Sequence, residues 1–197
     1  VYYRHDMDYA MQEAHPEWLC RDPFGNPVEK KRAAGIYGKT PYQMCQNSPF
    51  RQFTKQRLVE IFERGADGVY FDEDHMPEVC FCENCQAAFL KEKGRPLPDN
   101  PSPGTAAYLE VARFVGQTLA DTFAEWKAAV RHINPQAVLL VSASRYAEFT
   151  HLHHTEQMAR AGSANKTEFQ KCFGGQQHFP QADVIELNNH YPEMWMP

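Results

Sequence analysis

The sequence predicts an α/β fold of one domain, built on parallel strands. Three observations predict it: short apolar runs that end in polar or charged residues, helical periodicities between those runs, and the regular alternation of the two. The 197 residues are enough for one sizeable core. With 43% hydrophobic and 23% charged residues the composition is that of an ordinary globular chain, which excludes global disorder. The longest aliphatic run, Ala137 to Val141, is far short of the ~20 apolar residues of a membrane span, so no membrane partner is expected. Lys plus Arg is 20 against 25 for Asp plus Glu, a net charge of −5 with no basic block, which argues against a nucleic-acid partner. No basic, apolar leader opens the chain, and it starts at Val1 and stops at Pro197 beside a strand-like run. A piece of a longer protein is therefore expected.

Val1–Asp6 is the first strand-like run, and it ends in Arg4, His5 and Asp6. Ser48-Pro49 marks the first long helix, a hydroxyl cap followed by proline at the first helical position. Leu58, Ile61 and Phe62 share one face of it, and Gly65 stops it. Gly68–Asp72 is the second strand, and a second helix begins near Asn84 and ends at Gly94. Arg95–Gly104, with Pro96, Pro98, Pro101 and Pro103, reads as a surface loop. The longest helix runs from about Thr105 to Asn134, where Tyr108, Ala112, Val115, Leu119, Phe123, Trp126, Val130 and Ile133 recur as one buried stripe. Ala137–Ser144 and Asp183–Asn189 are the third and fourth strands, and residues 162–182 add only a turn signal at Gly174-Gly175. This order implies parallel strands with right-handed crossovers. Four such units do not close a barrel, which takes eight in roughly 250 residues, so the sheet is either open or half of a barrel.

The cysteines carry the first chemical signal. Cys80, Cys82 and Cys85 lie within one short stretch, and Cys45 precedes the Ser48 helix. Four thiolates satisfy a tetrahedral zinc ion, and close spacing lowers the loop entropy lost on binding. The bland alternative is ordinary buried or disulfide-bonded cysteine, but one intervening residue rarely lets a pair such as Cys80 and Cys82 bond to each other. With four protein ligands the ion would be structural, since no position is left for substrate. Cys20 and Cys172 have no partner pattern and are expected to be inert. Six cysteines in all are too few for a disulfide-built scaffold.

The second signal is the stretch Val69-Tyr70-Phe71-Asp72-Glu73-Asp74-His75, a buried strand running into three carboxylates and an imidazole. In parallel α/β folds the C-terminal ends of the strands form the active-site face. Alternation along an extended chain sends Asp72 and Glu73 in different directions, so one of them is expected to face a pocket. Crowded carboxylates raise one another's pKa, which keeps an acid protonated near neutral pH. The competing reading is a solvated loop or the cap of the next helix.

Two stretches together resemble family 42 glycoside hydrolases, the β-galactosidase-like enzymes. Met44-Cys45-Gln46-Asn47-Ser48-Pro49-Phe50-Arg51 is similar to a Cys-Pro-Asn-Ser-Pro-x-Tyr-Arg stretch of that family, and Cys80-Phe81-Cys82-Glu83-Asn84-Cys85-Gln86-Ala87-Ala88-Phe89 to its Cys-Tyr-Cys-x-x-Cys-x-x-Ala-Phe. His15-Pro16-Glu17 and the region from Asp183 to Pro192 add a more diffuse likeness. The resemblance implies a (β/α)8 TIM barrel of which this chain covers roughly strands three to six. Residues 1–197 would then be part of the catalytic domain, with a zinc-binding loop insertion around 76–104. It implies a glycosidase that cleaves a glycosidic bond with retention, with Glu73 as general acid/base and Cys45, Cys80, Cys82 and Cys85 as ligands of a structural zinc. It also implies a carbohydrate substrate and an oligomer. The chain departs from the family at Asp72, where the family has Asn. The wording Asp-Gly-Val-Tyr-Phe-Asp also resembles α-fucosidase-like barrels, in which the strand-four Asp is the nucleophile, so Asp72 is the other candidate catalytic carboxylate. The strand-seven nucleophile of family 42 would lie beyond Pro197.

Arg4, His5, Glu186, His190 and Tyr191 stand at strand ends and are the candidate substrate-binding residues, although a structural ion pair would serve Arg4 or His5 as well. Tyr3, Trp18, Tyr191 and Trp195 could line a sugar pocket or simply pack the core. His151, His153 and His154 lack the spacing of a helical zinc pair and read as a solvated loop. Two rival functions remain: a metal-dependent barrel hydrolase using His5, Asp72, His75 and His190, and a non-catalytic carbohydrate-binding protein. Thiolate zinc favours a reducing compartment such as the cytoplasm.

Overall fold

In the computed structural model, which describes residues 1–30, 38–71, 79–142 and 184–186, four strands form one sheet. They are β1 (Tyr2–Tyr3), β2 (Gly68–Phe71), β3 (Val138–Ser142) and β4 (Val184–Glu186). Each strand pairs in parallel with the next along the chain, so the sheet order is β1-β2-β3-β4. Tyr3 is in register with Phe71, Phe71 with Val141, and Ser142 with Glu186, which brings the C-terminal ends of all four strands to one edge. The α/β class and the parallel pairing expected from the sequence are therefore present among the described residues.

The helices lie between the strands as the periodicities require. After β1 come α1 (Tyr9–Ala14) and a 3-10 turn at Pro16–Trp18, neither of which the sequence announced. Asp8 starts α1 by accepting the backbone N–H of Met11 at 2.9 Å. Helix α2 (Phe50–Glu63) begins where Ser48-Pro49 places it: the Ser48 hydroxyl accepts the N–H of Phe50 at 3.2 Å, and Gly65, at φ 90°, follows the last turn. Helix α3 (Glu83–Lys93) is capped by Cys82 and closed by Gly94 in the left-handed conformation. Helix α4 (Ala106–Ile133) is capped by the Thr105 hydroxyl, which accepts the N–H of Tyr108 at 3.2 Å.

The stripe read on α4 is the face that packs: Ala112, Val115, Leu119, Phe123, Trp126 and Val130 are all buried, with Tyr108 and Ile133 half-buried at its ends. Leu58 and Phe62 of α2, Val69 and Phe71 of β2 and Phe89 of α3 complete one continuous core. Arg51 and Lys55 of α2 both pair with Glu125 of α4, and the Trp126 indole donates to the Arg51 carbonyl at 3.1 Å. Despite its 28 residues α4 does not qualify, and no helix among the described residues is long and apolar enough to cross a membrane.

Strand β1 is shorter than the Val1–Asp6 run, for a physical reason. Beyond Tyr3 the backbone is engaged elsewhere: the His5 carbonyl accepts from the Gln46 amide at 2.9 Å, and the Asp6 carbonyl accepts the N–H of Met44 at 2.8 Å. The chain leaves the sheet to hold the segment that leads into Cys45.

Candidate metal centre and the strand-end face

Four cysteine sulfurs converge where α3 begins. Cys82 is the cap of α3, and its sulfur accepts the N–H of Cys85 at 3.5 Å. Cys80 enters from just upstream, and Cys45 comes from the turn before α2. The sulfurs of Cys45, Cys80, Cys82 and Cys85 all lie within 4.8 Å of one another, with Cys45 at 3.5 Å from both Cys82 and Cys85. A tetrahedron of sulfurs around zinc, with each bond near 2.3 Å, has edges of ~3.8 Å, which this arrangement brackets. All four are buried, Cys82 being the most exposed at 3%. The donor set is soft and offers sulfur alone, so these residues could hold a thiophilic metal ion.

The thiols share their protons unequally. Hydrogen bonds from Cys20, then Cys45, Cys82 and Cys85, hold the Cys80 thiol well below its ordinary range, and Cys82 is lowered in the same way, by Cys45 first. Cys45 is pushed up, by its contact with Cys20 first, and Cys85 by its contact with Cys45 first. Cys20 has neighbours that its spacing did not announce: this fully buried thiol lies beside Cys45 and Cys80, and burial first of all raises its pKa, in keeping with the inert thiol expected. Its spacing gave no sign of this, because the contact arises from the bridge between Leu19 and Met44, which lays the two segments side by side.

At the strand-end face, Arg4 follows β1 directly. Its Nε donates to Asp6 Oδ1 at 3.1 Å and its Nη2 to Oδ2 at 3.3 Å, while Lys30 pairs with the same carboxylate. Asp6 is fully buried and Lys30 nearly so, whereas the Arg4 side chain stays 21% exposed. The ion-pair alternative thus describes how Arg4 is held, and the sequence did not reveal Lys30 as its companion. His5 lies inside. Its ring packs edge-on against Phe71, Phe123 and Trp126, with centroids 5.0, 5.4 and 5.6 Å away. Burial first, then the Lys30 and Arg4 cations, keep its pKa well below the ordinary value, so the ring is neutral. A fully enclosed imidazole presents no edge to a substrate or a metal from this position.

Tyr3 is likewise largely enclosed, with burial pushing its pKa up to about 12, and Trp18 is half-buried and stacked on His15 at 3.8 Å. Glu186 is the last residue of β4. Asp72, Glu73, Asp74, His75, His151, His153, His154, Cys172, His190, Tyr191 and Trp195 lie outside the described residues. A cavity of about 550 Å³ between the turn at 22–25, α3 and the 96–100 loop is lined by none of the candidate substrate residues.

Comparison with solved structures finds the same arrangement of elements in sugar-cleaving enzymes. A β-galactosidase from Bacillus circulans sp. alkalophilus superposes with a TM-score of 0.57 at 16% identity, over 95% of this chain and 29% of that one. The likeness is one of fold. An α-L-fucosidase isoenzyme from Paenibacillus thiaminolyticus gives 0.55 at 19% identity over 73% of this chain, and a β-galactosidase from the haloarchaeon Halorubrum lacusprofundi gives 0.55 at 17% over 72%. The chain spans 20% and 26% of the lengths of these last two. No protein-family model matches the sequence, and no curated protein does either. These comparisons support a glycosidase-like fold and leave membership of family 42 as a resemblance.

Proposed function

We propose that the chain is part of the barrel of a retaining glycoside hydrolase, with its active site at the C-terminal edge of the sheet and a structural zinc at Cys45, Cys80, Cys82 and Cys85. The observation that carries this reading is the register of the parallel sheet, which brings the strand ends to one edge, at the point where β2 runs by sequence into Asp72 and Glu73. The fold likeness to β-galactosidases and an α-L-fucosidase supports it. The substrate class is a carbohydrate. Arg4, fixed by Asp6 but partly exposed, is suited to bind a sugar hydroxyl; Glu186, His190 and Tyr191 are its proposed companions. His5, enclosed among Phe71, Phe123 and Trp126, belongs to the core rather than to the substrate.

In this reading Glu73 protonates the leaving oxygen as its bond to the anomeric carbon breaks, while a second carboxylate about 5–5.5 Å away attacks that carbon. Water then releases the sugar, with Glu73 taking the water's proton. Asp72 is the alternative nucleophile. Cys45, Cys80, Cys82 and Cys85 would hold a zinc ion with no open position, so its role would be structural rather than chemical.

The test is kinetic, on the protein at its full natural length. Glu73→Gln is expected to lower kcat by ~10²–10⁴-fold on substrates with poor leaving groups. The loss should be much smaller on an activated aryl glycoside, whose leaving group needs no proton. Full activity in Glu73→Gln with loss in Asp72→Asn would transfer the leading role to Asp72. Carbohydrate binding that survives both changes, in a protein that never hydrolyses, would make it a binding protein.

A further inference from the structure

We infer that Asn47 is the positioning residue of the metal centre, holding two ligand sulfurs at once, and that Thr118 of α4 fixes the carboxamide through which it does so. The inference rests on reading the four thiols as a metal site.

The backbone N–H of Asn47 donates to Cys45 Sγ at 3.3 Å, and its Nδ2 donates to Cys85 Sγ, also at 3.3 Å. Those two cysteines are 40 positions apart along the chain, so one residue registers ligands that arrive from separate segments. The second hydrogen of Nδ2 goes to Thr118 Oγ1 at 3.1 Å, and the Thr118 hydroxyl has the Phe114 carbonyl at 3.1 Å as its own acceptor. Both amide hydrogens are thereby used. The flipped amide would turn its oxygen towards Cys85, and a metal-bound thiolate, which only accepts, would repel it.

The electrostatics give this geometry its weight. Four thiolates around a divalent ion leave a net charge of −2 inside a hydrophobic core, where burial is costly unless hydrogen-bond donors face the sulfurs. Thr118 is itself buried on the α4 face that packs against the cluster, so the long helix sets the direction of the Asn47 donor. Outer-shell partners of this kind typically contribute 10–100-fold in metal affinity.

The experiment uses the protein at its full natural length and the metal alone. Asn47→Leu keeps the side-chain volume but removes the amide, and Thr118→Val keeps the volume but removes the hydroxyl. Zinc affinity is read by competition with a chromophoric chelator, and the cobalt-substituted protein is read by its sulfur-to-cobalt charge-transfer band. Asn47→Leu is expected to weaken zinc about 10–100-fold and to move the band to lower energy, because a thiolate deprived of an N–H donor gives up its electrons more easily. Thr118→Val should shift both in the same direction by less. Variants that match the wild type in affinity and band position, in a wild type that binds one metal per chain, would overturn the inference and leave the metal site standing. A wild type that takes up no zinc or cobalt would instead overturn the metal reading beneath it. If Asn47→Leu fails to fold, Thr118→Val decides alone, and an unchanged affinity and band would count against the inference.

Discussion

At the scale of single residues, the end of β1 shows how an apparent ligand becomes a core group. Arg4, His5 and Asp6 read as three polar residues at a strand end, yet Arg4 and Asp6 pair with each other and His5 turns inward onto three aromatic rings. A sequence gives the polarity of such a run but not its direction, because direction depends on Lys30 arriving from elsewhere to share the Asp6 carboxylate. The buried His5 has a testable effect on pH dependence. Its folded pKa is depressed, so the unfolded chain binds the proton first. The neutral ring's contribution is complete above the ordinary value of 6.5 and is lost as the pH falls below it. Thermal melts of His5→Phe should therefore show a shallower fall in Tm between about pH 6.5 and pH 5 than the wild type does. Equal slopes would mean that the imidazole is charged or exposed in the folded state.

At the scale of elements, the three long helices and the four-cysteine set were legible, while α1 and the place of Cys20 were not. The Ser48-Pro49 start, the Gly94 stop and the α4 stripe each depend on neighbours within a turn or two, which is the range over which a sequence reports physical constraint. Helix α1 has only six residues and buries none of them fully, so no apolar periodicity announces it. Cys20 meets the cluster through a long-range bridge, to which spacing is blind. Two glycines put the helix account to the test. Gly94 closes α3 at φ 68°, so Gly94→Ala should destabilise by ~1–2 kcal/mol. Gly116 lies inside α4, where an added Cβ meets nothing within 4 Å, so Gly116→Ala should stabilise by ~0.4–1 kcal/mol. Denaturant midpoints of the two variants check both signs. Gly68 in β2 is a third kind of case, since a Cβ added there would meet the Val138 carbonyl oxygen at 3.0 Å.

At the scale of the whole molecule, the class of fold was readable from the alternation of strands and helices. What it takes to close or extend the sheet was not, since each strand pairs with its successor and local pattern says nothing of the far edges. The four-thiol cluster joins the two halves of that pattern, bringing the segment before α2 to the start of α3. Replacing Cys80, Cys82 and Cys85 by Ser is expected to abolish a stoichiometric metal, as read by mass spectrometry of the purified protein. It should also lower kcat while Asp72 and Glu73 are untouched, and unchanged turnover in a metal-free variant would separate the two sites. The reason lies in the two described anchors that flank Asp72 and Glu73 along the sequence. One is Phe71, registered between Tyr3 and Val141 at the end of β2, and the other is Cys80 in the thiol cluster. In kinematic terms a metal ion held by these thiols would pin the second of two bearings, so the acid proposed to act on a sugar would owe its aim to an atom that never meets the substrate.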